Sequence, residues 1–205
     1  MEHPFSIWNS HSASSFDYDL PPPSLFGALP VTSARIDAPS FKTTKSSNVT
    51  LTFSSYDVLN CVISGINTSH CFYAVTDPSM PTYTCLKTQN GQNNALVEWS
   101  PDGVKVEIRG AVPKQPASQF LKLSGDNRFR VMKVGLQEFI WLSGHGQLSL
   151  YTAGTGVNNT TCVARITNNG GPIMLDISKH AVSQPGLLLV CVVAAILLQS
   201  GRRID

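Results

Sequence analysis

"PGLLLVCVVAAILLQSGRR", residues Pro185 to Arg203, decides how the rest of this 205-residue chain is read. Its uninterrupted apolar core runs from Leu187 to Leu198, twelve residues, and as a helix it rises only ~18 Å. A bilayer's hydrocarbon layer is about 30 Å thick and calls for roughly 20 such residues, so a run this short reads as the inside of a fold. Leu187, Leu188, Leu189, Val190, Val192, Val193, Ile196, Leu197 and Leu198 cover every side of a helical wheel, and such a helix needs apolar matter on all its faces. Gln184 and Pro185 read as an N-cap followed by proline in the first turn. Gly201 suits the C-terminal cap, and Arg202 and Arg203 complement the negative helix end. Burying the nine large side chains contributes at most roughly 13–27 kcal/mol, at about 1.5–3 kcal/mol each.

Upstream of this helix the chain is punctuated differently. In "VKVEIR", Val104, Val106 and Ile108 fall on one side and Lys105, Glu107 and Arg109 on the other, the period-2 pattern of a half-buried strand. "VTLTF", with Val49, Leu51 and Phe53, repeats it. Ten further runs read as strands: Cys61–Ser64, Cys71–Val75, Thr82–Lys87, Ala95–Trp99, Gln119–Leu123, Phe129–Val134, Glu138–Leu142, Gln147–Tyr151, Cys162–Ile166 and Ile173–Ile177. Between several of them lies turn chemistry: "SPDG" at Ser100, "SGDN" at Ser124, "SGHG" at Ser143 and "NNGGP" at Asn168. Twelve short strands followed by a helix that must be surrounded predict an all-β fold, a closed antiparallel barrel with the hydrophobic C-terminal helix, residues 185–200, at its centre.

Composition agrees with a turn-rich β protein: charged residues are only 14% of the chain, with 15 glycines and 13 prolines. Residues 1–46 are rich in Ser, Pro and Ala, carry "DLPPPSLF" at Asp19 to Phe26 and show no sustained period. They predict a disordered tail, because they cannot bury enough apolar surface to offset their ordering entropy. The proline run suits a spacer, or a docking peptide for a protein partner that reads extended Pro segments. The barrel domain is then 47–203. The opening Met-Glu-His-Pro lacks the basic and apolar regions of a secretory signal, and no Lys or Arg precedes Arg35. This predicts a cytoplasmic protein.

The chemistry-bearing residue types give little. Cys61, Cys71, Cys85, Cys162 and Cys191 are odd in number and lack CxxC spacing, so neither a disulfide framework nor a metal site is expected. The sequons at Asn48, Asn67, Asn158 and Asn159 read as chance in an Asn- and Thr-rich chain. His70 beside Cys71 is no dyad, since strand neighbours face opposite sides, and Cys71 reads as a small core residue. "GHG" around His145 and "GTG" at Gly154–Gly156 lack the strand-to-helix setting of a phosphate-cradling loop. No carboxylate pair for acid/base work stands out. No catalytic residue, metal site or cofactor is therefore assigned, and the expected role is non-enzymatic.

Positive charge is more informative. From Lys105 to Lys133 seven cations (Lys105, Arg109, Lys114, Lys122, Arg128, Arg130, Lys133) face only Glu107 and Asp126. Lys122, Arg128, Arg130 and Lys133 are the candidates for a patch that attracts anionic phospholipid, against the plainer reading of an ordinary solvated exterior. Nucleic acid is not an expected partner, since the net charge is +2 and no stacking motif is present.

The order of these elements resembles the tubby-like superfamily (tubby C-terminal/LURP-one-related), and more specifically an uncharacterised fungal domain family of that predicted architecture. The likeness rests on "YDVLN" (Tyr56–Asn60), "VEIRG" (Val106–Gly110), "SQFL" (Ser118–Leu121), "FIW" (Phe139–Trp141), "LSLY" (Leu148–Tyr151), "CVARI" (Cys162–Ile166) and "IMLDI" (Ile173–Ile177), then the closing helix. It covers about 48–203. The chain departs in "KVGLQEFIW", where family members often have a polar "DG" before the aromatic strand. The resemblance implies a twelve-stranded barrel around the helix. By analogy with relatives that bind phosphoinositides or are described as lipid scramblases, it also implies a peripheral role at the membrane surface. Two other roles compete: an adaptor working through the Pro-containing tail, and a tail-anchored protein held by residues 187–198.

Overall fold

The computed structural model describes residues 48–66, 68–144, 146–153, 161–168 and 170–205. The tail expected over 1–46, and "GTG" with the sequons at 67, 158 and 159, lie outside the described residues, as does His145. Thirteen strands form one antiparallel sheet: β1 (Asn48–Phe53), β2 (Cys61–Gly65), β3 (Cys71–Thr76), β4 (Tyr83–Thr88), β5 (Asn93–Ser100), β6 (Gly103–Ile108), β7 (Val112–Pro116), β8 (Lys122–Leu123), β9 (Phe129–Val134), β10 (Gln137–Gly144), β11 (Gln147–Thr152), β12 (Cys162–Thr167) and β13 (Met174–Ser178). Helix α1 (Ala117–Phe120) separates β7 from β8, α2 (Lys179–Val182) follows β13, and α3 (Leu187–Gln199) comes last.

The ladder runs β7-β6-β5-β4-β3-β2-β1-β13-β12-β11-β10-β9-β8. Chain neighbours other than β7 and β8 pair antiparallel, and β1 pairs with the distant β13, which joins the two halves through Val49 opposite Ile177 and Leu51 opposite Leu175. Period-2 alternation fixes which side of each strand is inside: Val104, Val106 and Ile108 of β6 are buried while Lys105 and Glu107 are exposed.

The sheet is not the closed barrel expected from the sequence. Its ladder ends at β7 on one side and β8 on the other, with no hydrogen-bonded pairing between them. Both ends are unsuited to a ladder. β7 carries Pro113 and Pro116, which have no N–H to donate, and proline in sheets belongs on edge strands. β8 is two residues long. Between them stands α1, which touches β6, β7, β8 and β9 and buries Ala117 and Phe120. The strand expected over Gln119–Leu123 is therefore divided: Gln119 and Phe120 end this helix and Lys122 and Leu123 form β8, while β7 was hidden from pattern reading by its prolines.

α3 is thirteen residues long, and each residue from Val190 to Leu198 is at most 1% exposed. Leu188 and Leu189, near its start, are half-buried. A helix can be buried on all faces by one sheet only if that sheet bends about it, so the strands' inner faces and α3 share a single core. Its start differs from the expected Gln184-Pro185 cap: the residue before Leu187 is Gly186, at φ +76. A side chain there would be strained and its Cβ would sit 3.0 Å from the Cβ of Ala111. Gly201, at φ +68, ends the helix as expected. Among the described residues no helix is long and apolar enough to cross a membrane, and the apolar surface of 187–198 that a bilayer anchor would need is spent on the core.

Candidate functional site

The four cations singled out in the sequence sit on or beside β8 and β9, and the fold does not bring them together. β9 alternates, so Arg130 and Met132 turn inward and Lys133 outward. Arg128 lies in the β8–β9 turn, and Lys133 is next to the β9–β10 turn towards the far end of a six-residue strand, roughly 16 Å away along the backbone. Lys122, on β8, pairs in register with Val131 and is exposed.

The β8–β9 turn is built by its own side chains. Ser124 Oγ donates to Asp126 Oδ1 at 2.6 Å and accepts from the backbone N–H groups of Arg128 and Phe129 at 3.0 and 3.1 Å. Asn127 takes the left-handed conformation, φ +58, which Asn tolerates better than most residues. The Asp126 carboxyl is held below the ordinary carboxylate range, chiefly by the Ser124 hydroxyl and opposed by partial desolvation. This fixed turn carries the exposed Arg128 on its rim.

Arg130 is not part of any outer patch: it is 1% exposed. Its Nη1 donates to the Leu121 carbonyl at 2.7 Å and to Asp205 Oδ1 at 3.0 Å, while Nη2 pairs with Asp205 Oδ2. Such a two-point contact is the strong geometry for guanidinium and carboxylate. It ties the segment after α3 to the start of β9, and Ile204 is buried beside it. Trp141 lies opposite Arg130 in the β9–β10 register, fully buried, with no hydrogen-bond partner for its Nε1.

The same segment reaches a second aromatic residue. The Arg202 guanidinium lies 4.7 Å from the centre of the Trp99 ring, a cation–π contact worth about 0.5–1 kcal/mol at an exposed site. Trp99 is held by its Nε1, which donates to Thr84 Oγ1 at 2.8 Å. Sequence reasoning assigned Arg202 and Arg203 to the helix end and did not single out Asp205. Nothing local signals either contact, because Trp99 and Arg130 are distant in the chain.

Of the other cations in the basic stretch, Lys114 sits 2.8 Å and Lys105 3.9 Å from Glu98. That carboxyl is pulled down chiefly by its hydrogen bond from Lys114. Lys133 pairs with Glu138 at 2.7 Å. Lys122, Arg128 and Arg203 are exposed and make no ion pair with a described carboxylate. Because Asp205 is fixed to Arg130 at the start of β9, Arg203 is held at the same end of the sheet as the β8–β9 turn.

Three of the five cysteines have thiols held protonated by their burial. Burial pushes the Cys191 thiol up to about 12, and burial with the nearby Asp57 charge pushes Cys61 up to about 11. Burial also raises Cys162, with Arg165 opposing. Cys71 is not a core residue, contrary to expectation: Phe72 takes the inner side and Cys71 the half-buried outer one. A solvent-open groove of about 330 Å³ crosses β2 and β3, lined by Ser54, Asn60, Val62, Tyr73 and Val75, with no converging charge. Among the described residues no cluster of three or more His, Cys, Asp or Glu side chains could hold a metal ion. No family model, curated protein or solved structure matches the chain.

Proposed function

We propose that this protein is a non-catalytic binding module that docks on anionic phospholipid surfaces through one end of its sheet, with Lys122, Arg128 and Arg203 as the contact cations. The observation that carries this reading is that the three are exposed and pair with no described carboxylate, Lys122 and Arg128 on the one β8–β9 hairpin, while Lys105, Lys114, Arg130 and Lys133 each face a carboxylate. Lys133 is therefore dropped from the site and Arg130 is excluded by burial. Each cation near a charged leaflet contributes about 1 kcal/mol, so three give roughly a hundredfold preference for an anionic over a neutral surface. The attraction is between solvated charges and weakens with salt.

Sedimentation with vesicles of phosphatidylcholine, alone or with phosphatidylserine, tests it. Binding is expected only with phosphatidylserine, to fall steeply as salt rises, and to be lost in the triple variant Lys122→Glu, Arg128→Glu, Arg203→Glu. Absence of binding, or binding indifferent to salt and to the triple change, overturns the reading.

A further inference from the structure

The buried guanidinium of Arg130 is unlike the exposed cations. Interior arginines are expensive to desolvate and persist only with an anion fully engaged. Here that anion comes from outside the core: the Asp205 side chain is 45% exposed while Arg130 is 1% exposed. The carboxylate thus meets the guanidinium from the solvent side, on a short segment that follows α3 and contributes no strand to the sheet. Both Asp205 oxygens are used by the guanidinium. Trp141, opposite Arg130 in the β9–β10 register, is buried and its Nε1 has no acceptor. A carboxylate has two oxygens, whereas a phosphate offers a third and fourth and meets a guanidinium in the same two-point geometry.

We propose that Arg130, with Trp141 opposite it on β10, forms a binding site for a phosphate group, and that Asp205 occupies it in cis as an internal competitor. A phosphate group that enters must displace Asp205 and so free the 200–205 segment, including the Arg202 contact with Trp99. The pocket uses none of Lys122, Arg128 or Arg203 as a ligand, although displacing Asp205 also frees Arg203.

The test uses the full chain, inorganic phosphate as the probe, and chloride at matched ionic strength as control. Asp205→Asn removes the competing charge but keeps the side chain's shape. It is expected to bind phosphate at least tenfold more tightly than the wild type and to gain thermal stability with phosphate, as any ligand of the native state confers. Wild-type protein is expected to be cleaved faster by trypsin after Arg202 and Arg203 when phosphate is added. This second measurement decides the matter if Asp205→Asn does not fold.

Vesicles carrying phosphatidic acid or phosphatidylserine separate the sources. A gain by Asp205→Asn for free phosphate, or for phosphatidic acid alone, supports the pocket and identifies a soluble or a lipid-borne ligand respectively. A folded Asp205→Asn that binds neither more tightly than the wild type overturns it, and so does a wild-type cleavage rate that phosphate leaves unchanged where the variant does not fold. Loss of phosphatidylserine binding in the triple surface variant bears only on the docking surface, so the two ideas fail separately.

Discussion

Arg130 and Lys133 are three residues apart on β9 and each faces a carboxylate, yet they belong to different physical regimes. Lys133 is 69% exposed and its partner Glu138 is 47% exposed; Arg130 is 1% exposed and holds Asp205 by two hydrogen bonds. An odd separation along a strand puts the two side chains on opposite faces, so one pair is screened by water and the other stands at the rim of the core. The lesson is that the number of cations in a stretch says little about a patch. The face each occupies, and the acid each already holds, decide what charge remains for a partner.

The sharpest way to break the contrast is to move the cation by one residue. Met132→Lys places an ammonium on the inner face beside α3 with no acid partner. It is expected to remove several kcal/mol, most of a typical domain's net stability of about 5–15 kcal/mol, in urea unfolding. A loss below about 1 kcal/mol would mean that the inner side of β9 is wetter than the fold implies.

Next comes Arg130→Ala, which empties the pocket and leaves the Leu121 carbonyl without its donor. The charge left behind, Asp205, is 45% exposed, so the loss is that of an unsatisfied buried carbonyl, about 1–3 kcal/mol, and the midpoint of denaturation should fall accordingly. Lys133→Ala is the smallest. An exposed pair is worth about 0.2–1 kcal/mol, so its effect should be at the edge of detection at low salt and vanish at high salt. Equal losses from the Arg130 and Lys133 changes would erase the distinction.

Why the sequence left this contrast hidden can be seen in "FRVMKV" itself. Phe129, Val131 and Lys133 make one face and Arg130, Met132 and Val134 the other, so each face carries one cation and two apolar residues. Alternation reveals two faces but not which is inside. In β6 the same rule was decisive because "VKVEI" puts every apolar side chain on one face. The partner Asp205 is 75 residues from Arg130, beyond the reach of any local pattern. The edges were similarly illegible: proline in β7 masked a strand, and the "SQFL" stretch that alternates acceptably became part of α1 once it had β6 and β9 to pack against.

By itself the sequence determined the all-β class, the positions of most strands and the burial of Val190–Leu198. These follow from side-chain period and from a helix too short and too uniformly apolar to face anything but a core. Only the tertiary structure decided that the sheet stays open between β7 and β8, that Arg130 is interior, and that the segment after α3 folds back onto Trp99 and Arg130. Those outcomes depend on which surfaces meet across many residues of chain, where hydrogen-bond geometry at proline-bearing edges and the desolvation of one guanidinium outweigh any local preference.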